Sequence, residues 1–122
     1  MPTGIPFYED TDWELPAPPV FGSRMRTALL MLVAVLEETY PAEISRYLGS
    51  TIPSVQRTLD KLEDEGLIAT RQLVIRRVSL NPLYPAHGEL RALLLRIAEA
   101  YPQYRKVKES RRTRPRRRGK SL

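Results

Sequence analysis

The chain has 122 residues, a net charge of +6, no cysteine and a single histidine, His87. This length fits one domain with extensions. The lack of cysteine excludes disulfides and thiolate metal sites. With only one histidine as well, a metal-sensing role is not expected. The longest strongly apolar run, residues 28–36, is far shorter than the roughly 20 residues that span a membrane. Because the chain also starts without a signal-peptide pattern, we expect a cytoplasmic protein without metal or cofactor.

The positive charge is concentrated at the C-terminal end. Residues 1–22 carry four acidic and no basic side chains, residues 23–104 have a net charge of +1, and residues 105–122 carry ten basic side chains and one acidic one. High charge with few apolar residues predicts a disordered tail over 105–122. Such a basic block is typical of nucleic-acid contact, with a solubilising tail as the alternative. The predicted organisation is an acidic arm, a folded domain and a basic tail with these boundaries.

The acidic arm and the first helix are both unusually apolar. The arm holds too many prolines for a regular helix, yet Trp13 and Phe21 favour packing on the folded domain or on a second subunit. A loosely ordered leader is the alternative. Ser23 is a natural helix N-cap, and no helix breaker follows before Pro41. Residues 28–36 are apolar on every helical face, more than a small core needs, and therefore predict a subunit interface.

Two short helices are predicted next. The stretch PAEISRYLG forms a helix that ends at Gly49, a residue that tolerates positive φ. Thr51 then caps a second helix, in whose first turn Pro53 is tolerated, and Gly66 ends that helix. Two helices joined by a tight glycine turn are typical of a helix-turn-helix, whose second helix presents its N-terminal residues to base edges in the major groove.

A hairpin and a last helix complete the domain. Strand-forming residues over 68–71 and 76–80 predict an antiparallel pair, although its turn QLV contains neither glycine nor asparagine. Residues 86–101 predict an amphipathic helix with another broad apolar stripe. The predicted fold is mainly α with a small β-hairpin, a winged helix-turn-helix.

The segments FGSRMR, YLGSTIPSVQRTL, LEDEGLI and RRVSLNP follow one another in the order of an ArsR-type winged helix-turn-helix regulator. The chain resembles that family over about residues 21–101, and MarR-type proteins more distantly. The resemblance implies a recognition helix over 51–65 and a wing over 68–80. It also implies a homodimer formed through residues 23–38 and 86–101.

Two features depart from the family pattern. The cysteine pairs and histidine clusters of metal-sensing members are missing, so the resemblance is to a metal-independent member. In addition, Ser50 stands where an aliphatic residue is usual, and the wing lacks its usual glycine.

The candidate DNA-binding residues follow from the resemblance and from the basic tail; they are Thr51, Ile52, Pro53, Ser54, Gln56, Arg57, Lys61, Arg71, Arg76, Arg77, Arg111, Arg112, Arg116 and Arg117. Arg57 is suited to reading guanine, with an ion pair to a nearby helix carboxylate as the alternative. Gln56 reads either adenine or nothing, and Thr51 and Ser54 serve capping more than base contact. Arg76 and Arg77 are adjacent on a strand and point to opposite faces, so only one of them readily faces DNA.

No nucleophile–base pair, glycine-rich phosphate loop or spaced pair of carboxylates on a defined scaffold is found in the sequence, so no enzyme is predicted. The expected function is that of a sequence-specific transcriptional regulator that binds double-stranded DNA, and such a protein is expected in the cytoplasm, associated with the nucleoid. The alternative is a winged-helix module for protein assembly, or an architectural nucleic-acid-binding protein with little sequence specificity.

Overall fold

The computed structural model describes residues 15–113, and within this range five helices accompany one two-stranded antiparallel sheet. In chain order the elements are α1 (Arg24–Leu36), α2 (Pro41–Leu48), α3 (Ile52–Asp64), β1 (Ile68–Gln72), β2 (Arg76–Leu80), α4 (His87–Ala98) and α5 (Pro102–Thr113). This order confirms the predicted winged helix-turn-helix. No helix within the described range is long and apolar enough to cross a membrane.

Helix α1 begins as predicted and ends earlier than predicted. Ser23 is its N-cap, and the Ser23 hydroxyl accepts a hydrogen bond from the Arg26 backbone N–H over 3.1 Å. The expected continuation towards Pro41 is wrong, because the helix ends at Leu36 and the next residue, Glu37, has a φ of 72°. The chain leaves the helix here because Thr39 pairs with Val78 of β2, through two backbone hydrogen bonds of 2.9 Å.

The apolar surface of α1 is covered within the chain itself. Every residue from Thr27 to Leu36 is buried, and α1 contacts α2, β2, α4 and α5. The subunit interface predicted for this surplus apolar face is therefore wrong for residues 27–36. Part of the face is covered by α5, a segment that was predicted to be without structure.

Helix α5 contains the first half of the predicted disordered tail. Tyr104 and Val107 lie three residues apart on one helical face and are fully buried against α1. The Tyr104 hydroxyl donates a hydrogen bond to the Pro16 carbonyl over 3.0 Å, and burial raises the pKa of that hydroxyl well above its usual range. The prediction of disorder is wrong for residues 105–113, and residues 114–122 lie outside the described range.

The end of the acidic arm is packed on the domain. Leu15 and Ala17 are buried in the main core, and Phe21 packs against its edge. The Phe21 backbone N–H also donates a hydrogen bond to the Thr27 hydroxyl over 3.1 Å. Trp13 and the rest of residues 1–14 lie outside the described range, so the predicted packing of the arm is seen here only for its last part.

The hairpin lies against the helix-turn-helix. Its register pairs Ile68 with Leu80 and Gln72 with Arg76, which leaves a three-residue turn at its tip. Buried Val78 fixes which face of the hairpin is turned to the core, and side chains two residues away share that face.

Candidate nucleic-acid interface

Helices α2 and α3 are held at a fixed angle by apolar side chains from both. Ile44 of α2 and Val55 and Leu59 of α3 are completely buried. Between the helices, Gly49 adopts a left-handed conformation with a φ of 74°, which a residue with a side chain adopts only with strain. The Ser45 hydroxyl donates a hydrogen bond to the Ser50 carbonyl in the same turn. The two helices and the turn thus have the arrangement predicted for a helix-turn-helix.

The N-terminus of α3 is capped and accessible. The Thr51 hydroxyl accepts a hydrogen bond from the Ser54 backbone N–H over 3.2 Å, which is the capping role predicted for it. Thr51, Ile52 and Pro53 are exposed, and Ser54 is half-buried. An exposed helix N-terminus carries partial positive charge and free N–H donors, both of which favour a phosphate group.

Arg57 and Lys61 are exposed one turn apart on α3. Neither forms a salt bridge or a side-chain hydrogen bond with any residue of the described range. The ion pair of Arg57 with Asp60 or Asp64, which was the alternative to base reading, is therefore not formed. Both cations are available to an external anion.

Arg76 of the wing is turned towards α3. One of its guanidinium nitrogens, Nη1, donates a hydrogen bond to Oε1 of Gln56 over 2.6 Å. The other, Nη2, lies 3.0 Å from Oδ1 of Asp60 and 3.1 Å from Oε1 of Glu63. With its side chain only 15% exposed, Arg76 fastens the wing to α3 instead of facing outward. Of the adjacent pair Arg76 and Arg77, only Arg77 remains for an external contact.

The opposite face of the hairpin carries the other two wing arginines. Arg71 and Arg77 are directly opposite each other across the strands, an arrangement in which two like charges repel. Glu38 reduces this repulsion, because Arg71 donates a 2.7 Å hydrogen bond to its carboxylate. The same bond holds the pKa of the Glu38 carboxyl below its usual range, with further lowering by the charges of Arg71, Arg77 and Arg111.

The tip of the wing is apolar, a feature that was not predicted. Leu73, Val74 and Ile75 are exposed, and Val74 is 97% exposed. Ile75 also lines an open groove between α3 and the wing, together with Tyr40, Pro41, Ala42, Ile52, Gln56, Gln72 and Arg76. The signal was present in the turn QLV, whose lack of polar turn residues placed aliphatic side chains at the point of the hairpin farthest from the core.

The candidate residues of the tail fall into three groups. The Arg111 guanidinium is engaged inside the fold, where it donates hydrogen bonds to the Leu36 and Glu38 carbonyls and to the Glu43 carboxylate, over 2.7 to 3.1 Å. This occupation removes Arg111 from the set of free DNA-facing cations. Arg112 lies in α5, and Arg116 and Arg117 lie outside the described range.

The predicted dimer surfaces also differ from each other. Most of residues 23–38 is buried within the chain, as described above, whereas α4 retains an apolar outer side. Leu93 is 45% exposed, Ile97 one turn later is half-buried, and Leu83 just before the helix is exposed as well. Only the second of the two predicted surfaces is thus accessible to a partner.

Comparison with known proteins agrees with this architecture. Residues 24–80 match the family described as the Crp-like helix-turn-helix domain. No protein with a curated description matches the chain. Among solved structures, a mutant of ZitR from Lactococcus lactis has the same fold, with a TM-score of 0.52 and 17% sequence identity over 93% of this chain and 79% of that one. The matched family is not the ArsR type, and membership of that type stays a prediction.

Proposed function

We propose that the protein is a sequence-specific transcriptional regulator that binds double-stranded DNA, with α3 in the major groove and the wing on flanking phosphate. The match to a Crp-like helix-turn-helix domain supports DNA binding and transcription regulation. The observation that carries the proposal further is the pair of exposed cations on α3, Arg57 and Lys61, which form no salt bridge within residues 15–113.

The roles of the α3 residues follow from their chemistry. Arg57, in the second turn of the helix, donates two hydrogen bonds to a guanine edge. Lys61 binds a phosphate as a point charge. Thr51, Pro53 and Ser54 lie against the sugar-phosphate backbone at the helix N-terminus, and exposed Ile52 supplies an apolar contact to a thymine methyl group.

The wing and the tail add contacts outside the central bases. Arg71 and Arg77 bind flanking phosphate, while Arg76 keeps the wing at a fixed position beside α3. Arg112, Arg116 and Arg117 add affinity that is largely independent of sequence. A basic DNA-binding surface of this kind is consistent with a cytoplasmic protein that is associated with the nucleoid.

A homodimer places two copies of α3 in successive major grooves. The exposed outer side of α4, with Leu93 at its centre, is the surface that supports pairing. The resemblance to ArsR-type regulators favours the same oligomer without a metal ion.

The decisive experiment is selection of bound duplexes from a random pool at physiological salt, with the mass of the free protein measured in parallel. An enriched motif with two related halves and a dimer mass supports the proposal. Equal recovery of all sequences contradicts sequence specificity and favours an architectural role.

Protein assembly is the second candidate, because three adjacent aliphatic side chains are exposed at the wing tip. The combined change Arg57→Ala and Lys61→Ala distinguishes the two functions. Loss of DNA binding with unchanged mass supports the regulator. Unchanged DNA binding in that variant contradicts recognition through α3 and leaves protein assembly as the better-supported role of this domain.

A further inference from the structure

Gln56 is held by the wing in one orientation. Its side-chain oxygen Oε1 accepts a hydrogen bond of 2.6 Å from Arg76 Nη1. Arginine has five N–H donors and no acceptor, so the atom of Gln56 that faces Arg76 must be the oxygen and not the amide nitrogen. The usual ambiguity between the two ends of a glutamine amide is thereby removed.

The same contact leaves the amide nitrogen free. Within the described residues, Nε2 of Gln56 forms no hydrogen bond, and the side chain is half-buried at the edge of the open groove between α3 and the wing. A second lone pair remains on Oε1. A base amino group that used it, however, would approach the positively charged Arg76 guanidinium, which repels another N–H donor.

From this geometry we infer that Gln56 is a specificity-determining residue that acts only as a hydrogen-bond donor, and that Arg76 makes it so. The inference rests on the proposed entry of α3 into the major groove. Guanine offers two adjacent acceptors there, O6 and N7, and thymine offers O4. Adenine offers N7 beside its N6 amino donor, and cytosine presents its N4 amino donor. Gln56 therefore favours guanine or thymine. Adenine is disfavoured, because its N6 amino group lies beside N7 and cannot be paired by a donor, so the two-bond contact that a freely rotating glutamine makes with both ends of its amide is lost.

Asp60 and Glu63 hold the Arg76 guanidinium in place. Both carboxylates contact Arg76 Nη2, and Glu63 is also the acceptor of a 3.1 Å hydrogen bond from the Thr70 hydroxyl of β1. The guanidinium is therefore fixed from two sides when it meets Gln56. Arg76 is a positioning residue, since it acts on the base through Gln56.

The test is duplex selection from a random pool, with sequencing, for the full chain and three variants. Gln56→Glu keeps an oxygen acceptor for Arg76 but replaces the outward donor with an acceptor. Arg76→Met keeps an aliphatic stem in the groove and releases Gln56. Arg71→Met, in the same hairpin but bound to Glu38, is the matched control. Preference is read as the ratio of bases at each motif position within one variant, so a change in overall affinity does not affect it.

At one position of the wild-type motif we expect guanine or thymine. In Gln56→Glu the preference at that position should shift towards cytosine or adenine. In Arg76→Met the bias against adenine at that position weakens by about fivefold or more, the lower end of the discrimination by a good base contact. Arg71→Met lowers affinity with this position unchanged. Circular dichroism establishes that each variant is folded, and if Arg76→Met does not fold, Gln56→Glu decides alone.

Two failures are distinguishable. A wild-type pool without any enriched motif contradicts the proposed sequence-specific function and the inference with it. A clear motif in which no position responds to Gln56→Glu, or in which the responding base is adenine in the wild type, overturns the inference alone.

Discussion

Arg111, in the last helix of the described chain, donates a hydrogen bond of 2.7 Å to the carboxylate of Glu43 in the first helix of the helix-turn-helix. Glu43 is 3% exposed, and its carboxylate also accepts a 2.6 Å hydrogen bond from the Thr39 hydroxyl. The same guanidinium donates to the Leu36 and Glu38 carbonyls, at the point where α1 ends. One basic residue thus joins α5, the end of α1 and α2.

Removal of this arginine is expected to destabilise the fold. Arg111→Met leaves the Glu43 carboxylate buried without a cation and two carbonyls without a donor. Loss of one partner of a buried pair costs about 3–5 kcal/mol. Because the Arg111 side chain is 33% exposed, water replaces part of the lost contact, and we expect roughly 2–3 kcal/mol. Urea unfolding measures the change.

The control for this loss is Arg105→Met, on an exposed position of the same helix. It is expected to change the free energy of unfolding by less than about 0.5 kcal/mol. The cost of Arg111→Met should also fall in a Glu43→Gln background, where no charge is stranded. An equal cost in both backgrounds would show that the ion pair is not what stabilises this junction.

A second prediction separates the two halves of the basic tail. Truncation after Thr113 removes only residues 114–122 and keeps α5, so stability and sequence preference should stay unchanged. The slope of log affinity against log salt concentration should fall by about 0.9 for each basic residue that contacts phosphate. Truncation after Tyr104 also removes buried Val107 and Arg111, and should unfold the domain. A shorter chain with the original slope would contradict a DNA-binding role for the tail.

These contacts show which parts of the fold were accessible from the sequence. The capped helices, Gly49 and the strand boundaries depend on neighbouring residues, and the sequence predicted them well. The end of α1 depends on Thr39 pairing with Val78, a contact between distant segments that local patterns do not contain. For α5, Tyr104, Val107 and Arg111 were spaced for one helical face, but the surrounding charges masked that pattern.

The sequence also predicted part of the candidate site, but not the contacts between its elements. Strand alternation correctly indicated that Arg76 and Arg77 point in opposite directions. The hairpin packs Val78 into the core, and Arg76 lies on the same face as Val78. Arg77 is therefore the residue that turns outward. Only the three-dimensional arrangement also revealed that the acidic residues of α3 bind Arg76.

Arg57 and Lys61 are predicted to have different effects on DNA binding. Arg57→Ala should cost about 1–3 kcal/mol of binding free energy and relax preference at one base pair. Lys61→Ala should weaken binding to all duplexes alike and lower the salt slope by about 1. Fluorescence anisotropy titrations at three salt concentrations distinguish these effects. Arg96→Ala in α4, which removes an exposed pair with Glu99, is the control and should change neither quantity.

Leu93 tests the proposed dimer surface. Leu93→Glu places a charge at the centre of the exposed apolar side of α4 and should convert a dimer into monomers, as measured by sedimentation equilibrium. The isolated monomer should keep its fold, because Leu93 is 45% exposed and not part of the core. Val74→Glu, at the exposed wing tip, is the matched control for an added charge. A dimer that persists in Leu93→Glu would place the interface elsewhere.

The contact between Arg26 and Glu65 predicts a pH dependence of stability. Arg26 Nη2 lies 2.6 Å from Glu65 Oε1 and joins the first turn of α1 to the end of α3. This hydrogen bond holds the pKa of the Glu65 carboxyl below its ordinary 4.5. Since the folded state favours the ionised form, the contribution is present above the ordinary pKa and is lost as the pH falls through the lower folded value. Glu65→Gln should therefore lower the urea midpoint at pH 7 and leave it almost unchanged at acid pH, where the wild-type carboxyl is also neutral. A difference between the two proteins that is the same at both pH values would contradict an electrostatic origin.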